Sequence, residues 1–429
     1  MIVGWEPSLT VSNYKTLEII LNSTKLSHKA TPYRYFHNWL GQGLLTSSGD
    51  KWRKRRKIIT PAYHFKILEQ FVNVFDKVSD ILVNEVRREC NKQSFDIYPY
   101  ITLCALDIIC ETAMGISVNA QVNKNSEYVQ SVKKMCKIVM DRTFSPLQYF
   151  DILYRFTKNY RDEKRCLKVL NEYNFEIIRK RRQELKSRGN EKESENFEKK
   201  KVAFLDMLLQ AKIDEQPLSD EDIREEVATF MFEGHDTTAS AMSFALFELA
   251  KNVEVQNKVF DEQKCLFADF PERSVTYKDL NDMKYLELVL KETLRLYPSV
   301  PFYARQTMEE INLTNDIKLP KGFIINIFAY GIHRDPQFYP DPDSFDPERF
   351  SHDNNTGKYP YSFIPFSAGL RNCIGQKFAL LEMKATISKF IRKYELLPRH
   401  PEHHLQLISE TILKSANGVY IKLIDRKWQ

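Results

Sequence analysis

The apolar positions in the first 300 residues recur mostly every three to four residues, a period typical of helices. Residues 1–50 predict a strand, a short helix over "YKTLEIIL" and a glycine-containing loop, and a mainly helical region runs from Trp52 to about Glu184. A long helix is expected from about Asp220 to Asn252, and another from about Asn281 to Leu296. Ser219 or Asp220, followed by two acidic residues, gives the long helix a capped start.

The last 120 residues differ, because strand-like and proline-rich segments separate the helices. The run "INLTNDIKLPKGFIINIFAYGIH" predicts strands, "RDPQFYPDPDSFDPERF" is too rich in proline for regular structure, and a helix is expected from about Gln376 to Tyr394. Asn417 and Gly418 in "ILKSANGVYIKLI" predict the turn of a β-hairpin. This order indicates an α+β fold, mainly α, in a single domain over residues 1–429.

Charge and composition narrow the class of protein. Hydrophobic residues make up 43% of the 429 residues, so the chain can bury a large core, and its net charge of +6 suits an acidic partner or an anionic membrane surface. The highly charged sequence from Arg179 to Lys201 predicts a solvated helix end and a flexible loop over residues 187–201. Seven cysteines without a CxxC pair argue against a disulfide framework or a structural zinc site.

No stretch reaches the ~18 uninterrupted apolar residues that favour a membrane span. Either the protein is soluble or a membrane anchor is missing from this chain.

The strongest chemical signal is the loop "FSAGLRNCIG", from Phe366 to Gly375. Gly369 and Gly375 permit close backbone approach or positive φ around Cys373, and the start of the next helix would favour a thiolate. Arg371 can reach an anionic group beside the sulphur. A lone cysteine is more often a small core residue, but the pattern FxxGxRxCxG resembles the proximal-ligand loop of the cytochromes P450, the haem-thiolate monooxygenases.

That resemblance implies a role for the members of the loop. Cys373 would be the axial thiolate ligand of the haem iron, Phe366 would pack near the sulphur and Gly369 would shape the loop. Arg371 would pair with a haem propionate. The implied fold is the cytochrome P450 fold, with a long central helix over the haem and a smaller β part.

Other motifs follow in the chain order of the same family. In "WRKRR", Trp52 and Arg56 are four residues apart on one helical face, and they match the helix whose indole and guanidinium hold a propionate. Arg305 in "VPFYARQT" matches another propionate-binding arginine. The neighbouring basic residues of this helix would form a positive patch where an acidic flavin domain docks, although a solvated basic helix explains the same pattern.

A structural cluster is implied by two further motifs. Glu292 and Arg295 in "KETLR" lie on one helical face, flanked by apolar residues, and Arg349 belongs to "DPERF". In isolation the first two residues read as a surface ion pair. In the resembled family the three positions form a Glu-Arg-Arg cluster that locks the fold behind the haem.

The stretch "FMFEGHDTTAS" places poor helix formers, Gly234, Asp236, Thr237 and Thr238, in the middle of the long helix. A kink with a satisfied threonine explains this alone, but such violations concentrate at functional sites. By resemblance, Asp236 and Thr237 would be the acid–alcohol pair that relays protons during oxygen activation. "FMFEGHDTT" resembles family four, in which the glutamate at the position of Glu233 can form an ester with a haem methyl group.

Together these motifs imply a monooxygenase of family four, similar to microsomal insect members, over essentially the whole chain. It would insert one oxygen atom of O2 into an apolar fatty acid, hydrocarbon, hormone or xenobiotic. The pocket walls would include residues 300–303, Phe230 and residues 405–413. NADPH would supply electrons through NADPH–cytochrome P450 reductase, with cytochrome b5 as a further partner and no nucleic acid involved.

The resemblance also implies a location on the cytosolic face of the endoplasmic reticulum, with peripheral membrane contact. Relative to microsomal members, the chain is expected to lack the anchor and the first helix. Two alternatives stay open: an inactive or merely haem-binding truncated protein, and a haem-thiolate isomerase or dehydratase. The intact Asp236–Thr237 pair argues against the second.

Overall fold

A computed structural model describes the fold over residues 2–3, 6–124, 127–190, 203–268, 270–313, 317–355 and 359–428. The flexible loop predicted over residues 187–201 lies, from residue 191 onward, outside the described residues. Residues 187–190 still belong to a helix, so the predicted start of that loop is wrong.

Helices form most of the described structure and occur along the whole chain. In chain order they are α1 (Tyr14–Asn22), α2 (His37–Leu40), α3 (Gly49–Ile59), α4 (Phe65–Val86), α5 (Tyr98–Ile109), α6 (Ala120–Asn123), α7 (Glu127–Phe144), α8 (Pro146–Tyr149), α9 (Asp151–Tyr154), α10 (Lys158–Asn190), α11 (Phe204–Gln210), α12 (Asp220–Lys251), α13 (Val253–Phe267), α14 (Tyr277–Asp282), α15 (Lys284–Leu296), α16 (Ala329–Ile332), α17 (His352–Asn355) and α18 (Gln376–Lys393).

Strands are short and form small sheets at the edge of the helical part. They are β1 (Ile2–Val3), β2 (Glu6–Val11), β3 (Phe95–Asp96), β4 (Lys212–Ile213), β5 (Gln216–Pro217), β6 (Tyr303–Gln306), β7 (Ile311–Asn312), β8 (Lys318–Leu319), β9 (Ile324–Ile327), β10 (Tyr394–Pro398), β11 (Leu407–Ser409), β12 (Leu413–Ser415) and β13 (Tyr420–Asp425). The expected mainly α, α+β fold is confirmed.

Two of the sheets join distant parts of the sequence. The first has the order β1-β2-β9-β6, with β2 parallel to β9 (Ser8 opposite Ile324) and β6 antiparallel to β9 (Tyr303 opposite Ile327). The second has the order β10-β13-β3, and three antiparallel pairs complete the β part. The first sheet carries β6 into the interior, where it contributes side chains to the site described below.

The long helix α12 forms the axis of the helical part. Ser219 is its N-cap, accepting a hydrogen bond from the backbone N–H of Asp222 at 3.1 Å, and three acidic residues occupy the first turn. Side chains on all faces of α12 are buried, as expected of a helix that crosses a core. The helix packs closely on α5, while α18 packs on α4. The predicted bounds and cap of this helix are confirmed.

The predicted cluster behind the site also forms. Arg295 donates to both carboxylate oxygens of Glu292 at 2.8 Å, and both side chains are fully buried. Arg349 Nε lies 3.5 Å from the same carboxylate. The interpretation as a surface ion pair is therefore wrong.

The predicted hairpin at Asn417 and Gly418 is wrong. β12, before the turn, pairs with β11, whereas β13, after it, pairs with β10 and β3. The Asn417 side chain accepts from the N–H of Gln406 and donates to the carbonyl of His404, while Gly418 has a φ of +81°. The turn therefore passes the chain from one sheet to another, because partners distant in sequence compete for both strands.

The charged end of α10 is less solvated than its composition predicts. Arg181 is buried, donates to both carboxylate oxygens of Asp206 at 2.6 and 2.8 Å, and reaches the carbonyl of Gly115 at 3.0 Å. This fork attaches α10 to α11. Among the described residues, no helix is both long and apolar enough to cross a membrane.

Candidate functional site

A cavity of about 1330 Å³, counted together with its opening to solvent, lies between α12, α3, β6 and the loop before α18. Most residues predicted for the site line it together: Trp52, Arg56, Glu233, Thr237, Arg305, Phe366, Arg371 and Cys373. Gly369 and Asp236 do not line it. Of the expected pocket walls, Phe230, Val300 and Tyr303 contribute, whereas residues 405–413 do not.

The cysteine loop is closed by a backbone hydrogen bond from Cys373 N–H to the Phe366 carbonyl at 2.9 Å. Gly369 has a φ of +67°, and a side chain there would collide with the carbonyl of Leu21 in α1, so this position requires glycine. Gly375 has a φ of −90°, and an added Cβ would meet only ordinary contacts. Of the two glycines, therefore, only Gly369 is required by its backbone conformation and its close contact with α1.

Cys373 is the cysteine that faces this cavity. Four of the other cysteines are buried elsewhere, and neither Cys90 nor Cys265 lines the cavity. The Cys373 side chain is exposed to the open cavity, but protein atoms crowd around the sulphur. This desolvation, followed by the charge of Glu233, raises the pKa of the Cys373 thiol to about 12, while a backbone hydrogen bond from Gly375 lowers it. A cation bound at the sulphur would reverse this balance, because metal coordination deprotonates a thiol.

Cations surround one end of the cavity. Arg56 donates to the carbonyl and the side-chain oxygen of Asn372, each at 2.8 Å, which ties α3 to the cysteine loop. Arg371 donates to the carbonyls of Leu45 (3.3 Å) and Ser47 (2.9 Å), and its guanidinium lies 4.5 Å from the Trp52 ring centre. The Nη1 of Arg371 is buried without a partner.

These cations repel one another in a region with few anions. Burial and then the nearby Arg305 lower the pKa of Arg371 to about 9. Lys29 is a further cation in the wall, and burial with Arg305 and Arg371 holds its pKa well below the usual range. Lys29 belongs to none of the motifs read from the sequence, and a single lysine in "LSHKATPY" carries no signal that could have identified it.

The positive patch predicted on α3 is largely neutralised. Lys51 lies 2.8 Å from Glu225, Arg53 pairs with Asp50, Lys54 pairs with Asp214 at 2.5 Å, and the buried Arg55 pairs with Asp222. Among the described residues, Lys57 of this helix has no carboxylate within ion-pair distance. The basic run therefore attaches α3 to α12 more than it charges the surface.

The motif "FMFEGHDTTAS" stays inside a continuous helix. The hydroxyl of Thr237 donates to the Glu233 carbonyl at 2.7 Å, and that of Thr238 to the Gly234 carbonyl at 3.0 Å. A side chain at Gly234 would collide with Ile109 of α5, so glycine here allows two helices to approach closely. Gly234, Thr237 and Thr238 thus line the cavity without interrupting α12.

Asp236 points to the other side of α12. Its carboxylate lies 2.9 Å from Lys414 Nζ and accepts from the Tyr98 hydroxyl at 3.4 Å, and both charged side chains are buried. With His235 it lines a second cavity of about 740 Å³, including its opening. The structure therefore does not bring the Asp236 carboxylate and the Thr237 hydroxyl together.

Glu233 is the carboxylate of the main cavity. Its surroundings of protein atoms raise its pKa to about 7, while Lys29, Arg371 and Arg56 lower it in that order.

Comparison with known proteins gives this arrangement a family. Residues 1–423 match the family model described as "Cytochrome P450". The chain belongs to the cytochrome P450 family. It is thus a haem-thiolate monooxygenase, an oxidoreductase.

Individual relatives place this P450 among members of family four. It is 43% identical to cytochrome P450 4V2 of Homo sapiens over 429 residues, which covers 99% of this chain and 81% of that protein. It is 43% identical to cytochrome P450 4c3 of Drosophila melanogaster over 433 residues, with the same coverage. With cytochrome P450 4d1 of the same fly the identity is 44%, over 99% of this chain and 85% of that protein.

The residues present fit the cofactor of this family. A haem needs a thiolate for its iron, cationic partners for its two carboxylates and an apolar enclosure for its ring. The cavity offers one cysteine sulphur, guanidinium groups with an unpartnered buried N–H, and apolar walls that include Ile109, Phe230 and Phe378. An anionic group is what these buried cations lack.

Proposed function

We propose that Cys373 holds the haem iron of this P450 as its axial thiolate ligand. Trp52, Arg56, Arg305 and Arg371 bind the propionates, and Phe366 and Gly369 shape the loop around the sulphur. The observation that carries this proposal is the position of one cysteine sulphur in the wall of a cavity that also contains unpaired buried cations. Among the described residues that line the cavity, Glu233 is the one carboxylate beside four cations, Lys29, Arg56, Arg305 and Arg371.

When bound, the haem supplies the activation of O2, which inserts one oxygen atom into the substrate. The residues of the chain enclose that chemistry and supply protons. Thr237 lines the main cavity, and Asp236 lines the second one. We infer that Asp236 and Thr237 hand protons across α12, with Asp236 releasing Lys414 when it does so.

The substrate proposed for this site is apolar. Leu44, Ile109, Phe230, Ala241 and Val300 give the cavity an apolar wall, and sites of this kind bury most of a small ligand's surface. A fatty acid, hydrocarbon, hormone or xenobiotic has the required chemistry.

We propose that Glu233 forms an ester with a haem methyl group during turnover. In that ester a carboxyl oxygen of Glu233 would replace one hydrogen of the methyl group. The carboxylic acid and the methyl group together would give up two electrons and two protons, which would be consumed in reducing oxygen to water. The support is the absence of a side-chain hydrogen bond or ion pair at this half-buried carboxylate among the described residues.

Electrons are proposed to come from NADPH through the P450 reductase, with cytochrome b5 as a second donor. Because α3 is largely neutralised, the docking surface we propose centres on the cysteine loop, where Lys57, Lys377 and Leu370 are exposed.

Peripheral contact with the endoplasmic reticulum membrane, on its cytosolic side, is proposed for the segment around α8 and α9. Leu147 (69% exposed), Ile152 (74%) and Phe156 (84%) present apolar side chains to solvent there. Apolar patches of this kind mark membrane or protein contacts.

The decisive test is the difference spectrum of the reduced protein with carbon monoxide. Haem-loaded wild type and Cys265→Ser should both show the thiolate type of Soret band, because Cys265 is exposed and does not line the cavity. Cys373→Ser should lose that band. A Cys373→Ser protein that keeps it would refute the assignment, and NADPH-dependent oxygenation with reductase would separate a monooxygenase from an isomerase or dehydratase.

A further inference from the structure

Residues 41–48 connect α2 to α3 and form a mostly buried segment, here named the α2–α3 loop. Two of its side chains, Leu44 and Leu45, line the main cavity. The loop is closed on itself by the Thr46 hydroxyl, which donates to the carbonyl of Gly41 at 2.8 Å. The position of this loop against the helices therefore determines part of the cavity wall.

Two adjacent carboxylates of α12 hold the α2–α3 loop by its backbone. Glu225 accepts from the N–H of Gln42 at 2.8 Å, and Glu226 accepts from the N–H of Leu44 at 3.0 Å. The Glu226 side chain is fully buried, as is its hydrogen bond to Leu44. Because a buried N–H needs an acceptor, this bond fixes the backbone at the residue whose side chain forms the wall.

Glu226 continues the face of α12 that lines the cavity. Residues 226, 230, 233 and 237 follow one another at intervals of four, three and four, which places them along one side of a helix. Phe230, Glu233 and Thr237 line the main cavity, whereas Glu226, one turn before Phe230, does not. At this turn the helix meets the backbone of the loop in place of open space.

The loop and the helix approach each other closely at this point. A side chain at Gly43 would collide with the Thr229 hydroxyl and with the backbone carbonyl of Glu225, so the position requires glycine. Because the loop already touches α12, we expect the loss of the Glu226 hydrogen bond to move the loop away from the helix.

The opposite side of the loop has a separate attachment. Arg371 donates to the carbonyls of Leu45 at 3.3 Å and Ser47 at 2.9 Å, which ties the loop to the cysteine loop. Glu226 acts on a different residue, Leu44, and from α12. The two attachments can therefore be separated by experiment.

We propose that Glu226 is a positioning residue for the substrate: it holds the Leu44 N–H, keeps the Leu44 side chain in the cavity wall, and so determines how well a long apolar molecule fits. This inference rests on the proposed function, since it takes the substrate to be apolar. Glu226 does not line the cavity, so its effect passes through Leu44.

Two haem ligands of different size test this role in the haem-loaded protein. Imidazole is too small to need the wall, whereas the alkyl chain of 1-octylimidazole must lie in the cavity. Both are titrated by the shift of the Soret band, and the quantity compared is the Kd of imidazole divided by the Kd of 1-octylimidazole. Glu226→Ala and Leu44→Ala should each lower this ratio about tenfold, the effect expected when the packing of one leucine is lost. Glu226→Gln keeps an oxygen acceptor and should stay close to the wild type.

A double variant separates positioning from a general loss of stability. If Glu226 acts through Leu44, adding Glu226→Ala to Leu44→Ala should lower the ratio no further. Glu248→Ala is the matched control, because Glu248 is a buried carboxylate of the same helix that accepts from the Tyr297 hydroxyl at 2.6 Å and does not line the cavity. It should lower the urea midpoint and leave the ratio unchanged.

A second route avoids a folding defect in Glu226→Ala. The Nε of the buried Arg55 lies 3.8 Å from Glu226, so removal of the carboxylate alone weakens the pairing of a buried charge. Methionine at both positions removes the two charges together. This double variant should show the same lowered ratio as Glu226→Ala.

The outcomes separate the claims. An unchanged ratio without the Glu226 carboxyl group, or additive losses in the double variant with Leu44→Ala, overturns the role of Glu226. Equal weakening of both ligands shows that the loop acts on the haem through Arg371, and overturns it too. A wild type that binds 1-octylimidazole no more tightly than imidazole refutes the apolar substrate and this inference, while leaving the haem ligand standing. Absence of the thiolate Soret band refutes the proposed haem ligand and removes the basis of this inference.

Discussion

Arg295→Met is expected to destabilise the protein strongly, because it leaves the Glu292 carboxylate in the core without its main partner. Arg295 donates to both oxygens of Glu292 at 2.8 Å, and neither side chain is exposed. Removing one partner of a buried ion pair typically costs ~3–5 kcal/mol. Because native proteins are stable by only ~5–15 kcal/mol, this single change should remove a large part of the total.

The structure places Arg295→Met near the upper end of that range. Arg295 also donates to the carbonyls of His333 (3.0 Å), Pro342 (2.7 Å) and Ser344 (3.1 Å), which all lose a donor with it. Lysine at this position keeps the charge but loses the fork, so Arg295→Lys should fall in between. Replacing both members with methionine should restore part of the loss, because no buried charge is then left alone.

Urea denaturation, followed by tryptophan fluorescence and by haem absorbance, measures this effect. Lys291→Met is the matched control on the same helix, since Lys291 pairs with Glu287 in a partly exposed position and should matter by less than ~1 kcal/mol. A midpoint for Arg295→Met equal to that of Lys291→Met would show that the buried cluster does not stabilise the fold. If the protein with methionine at both positions is less stable than either single variant, the argument from an unpaired buried charge is contradicted.

Three further changes probe other parts of the structure. Gly369→Ala should lower the free energy of unfolding by more than ~1 kcal/mol and reduce haem content, because the residue has a φ of +67° and an added Cβ would collide with α1. Gly322→Ala is the control, because Gly322 has a φ of +84° but open space around it, so only backbone strain should lower its stability. Equal losses of stability in the two variants would contradict the packing argument. Lys414→Met should lower the thermal midpoint, because it leaves the buried Asp236 carboxylate without its partner at a cost of ~3–5 kcal/mol in stability. Adding Asp236→Asn should recover most of that loss. No recovery in the double variant would argue against the ion pair. Burial holds the pKa of His333 at about 3, below its value in the unfolded chain, so the free energy of unfolding should fall as the pH drops from about 6.5, by up to ~1.4 kcal/mol per pH unit. In His333→Gln, the urea midpoint should depend less steeply on pH. An equal pH dependence in wild type and His333→Gln would refute this role of His333.

The features that the sequence predicted well depend on neighbours in the chain. The start of α12 follows from Ser219 and Asp222, three residues apart, and the burial of Glu292 and Arg295 follows from the apolar residues beside them. The cysteine loop likewise contains its own signal. In each case a few adjacent residues determine both the local conformation and the demand for a partner.

The predictions that failed depended on partners far away in sequence. The basic run of α3 suggested a charged surface, but Asp214, Asp222 and Glu225, more than 150 residues later, neutralise most of it. Asn417 and Gly418 do form a turn, but the strand that follows it, β13, pairs with β3 and β10 and not with the strand before the turn. Lys29 lines the site next to a backbone bridge that it forms with Arg305 of β6. The charge of a segment and its helix or strand propensity do not specify which distant element will pair with it.

The separation of Asp236 from Thr237 follows from the continuity of α12. Successive residues of an unbroken α-helix point roughly 100° apart, whereas residues four positions apart point almost the same way. Glu233 and Thr237 therefore share the main cavity, and Asp236 must face elsewhere. There Lys414 holds it at 2.9 Å, and β12, which carries Lys414, is fixed to α12 by a 2.6 Å hydrogen bond from Ser240 to Leu413. The proposed proton relay between the two residues would therefore require the Asp236 side chain to leave Lys414, and the strength of that ion pair would set the cost of the movement.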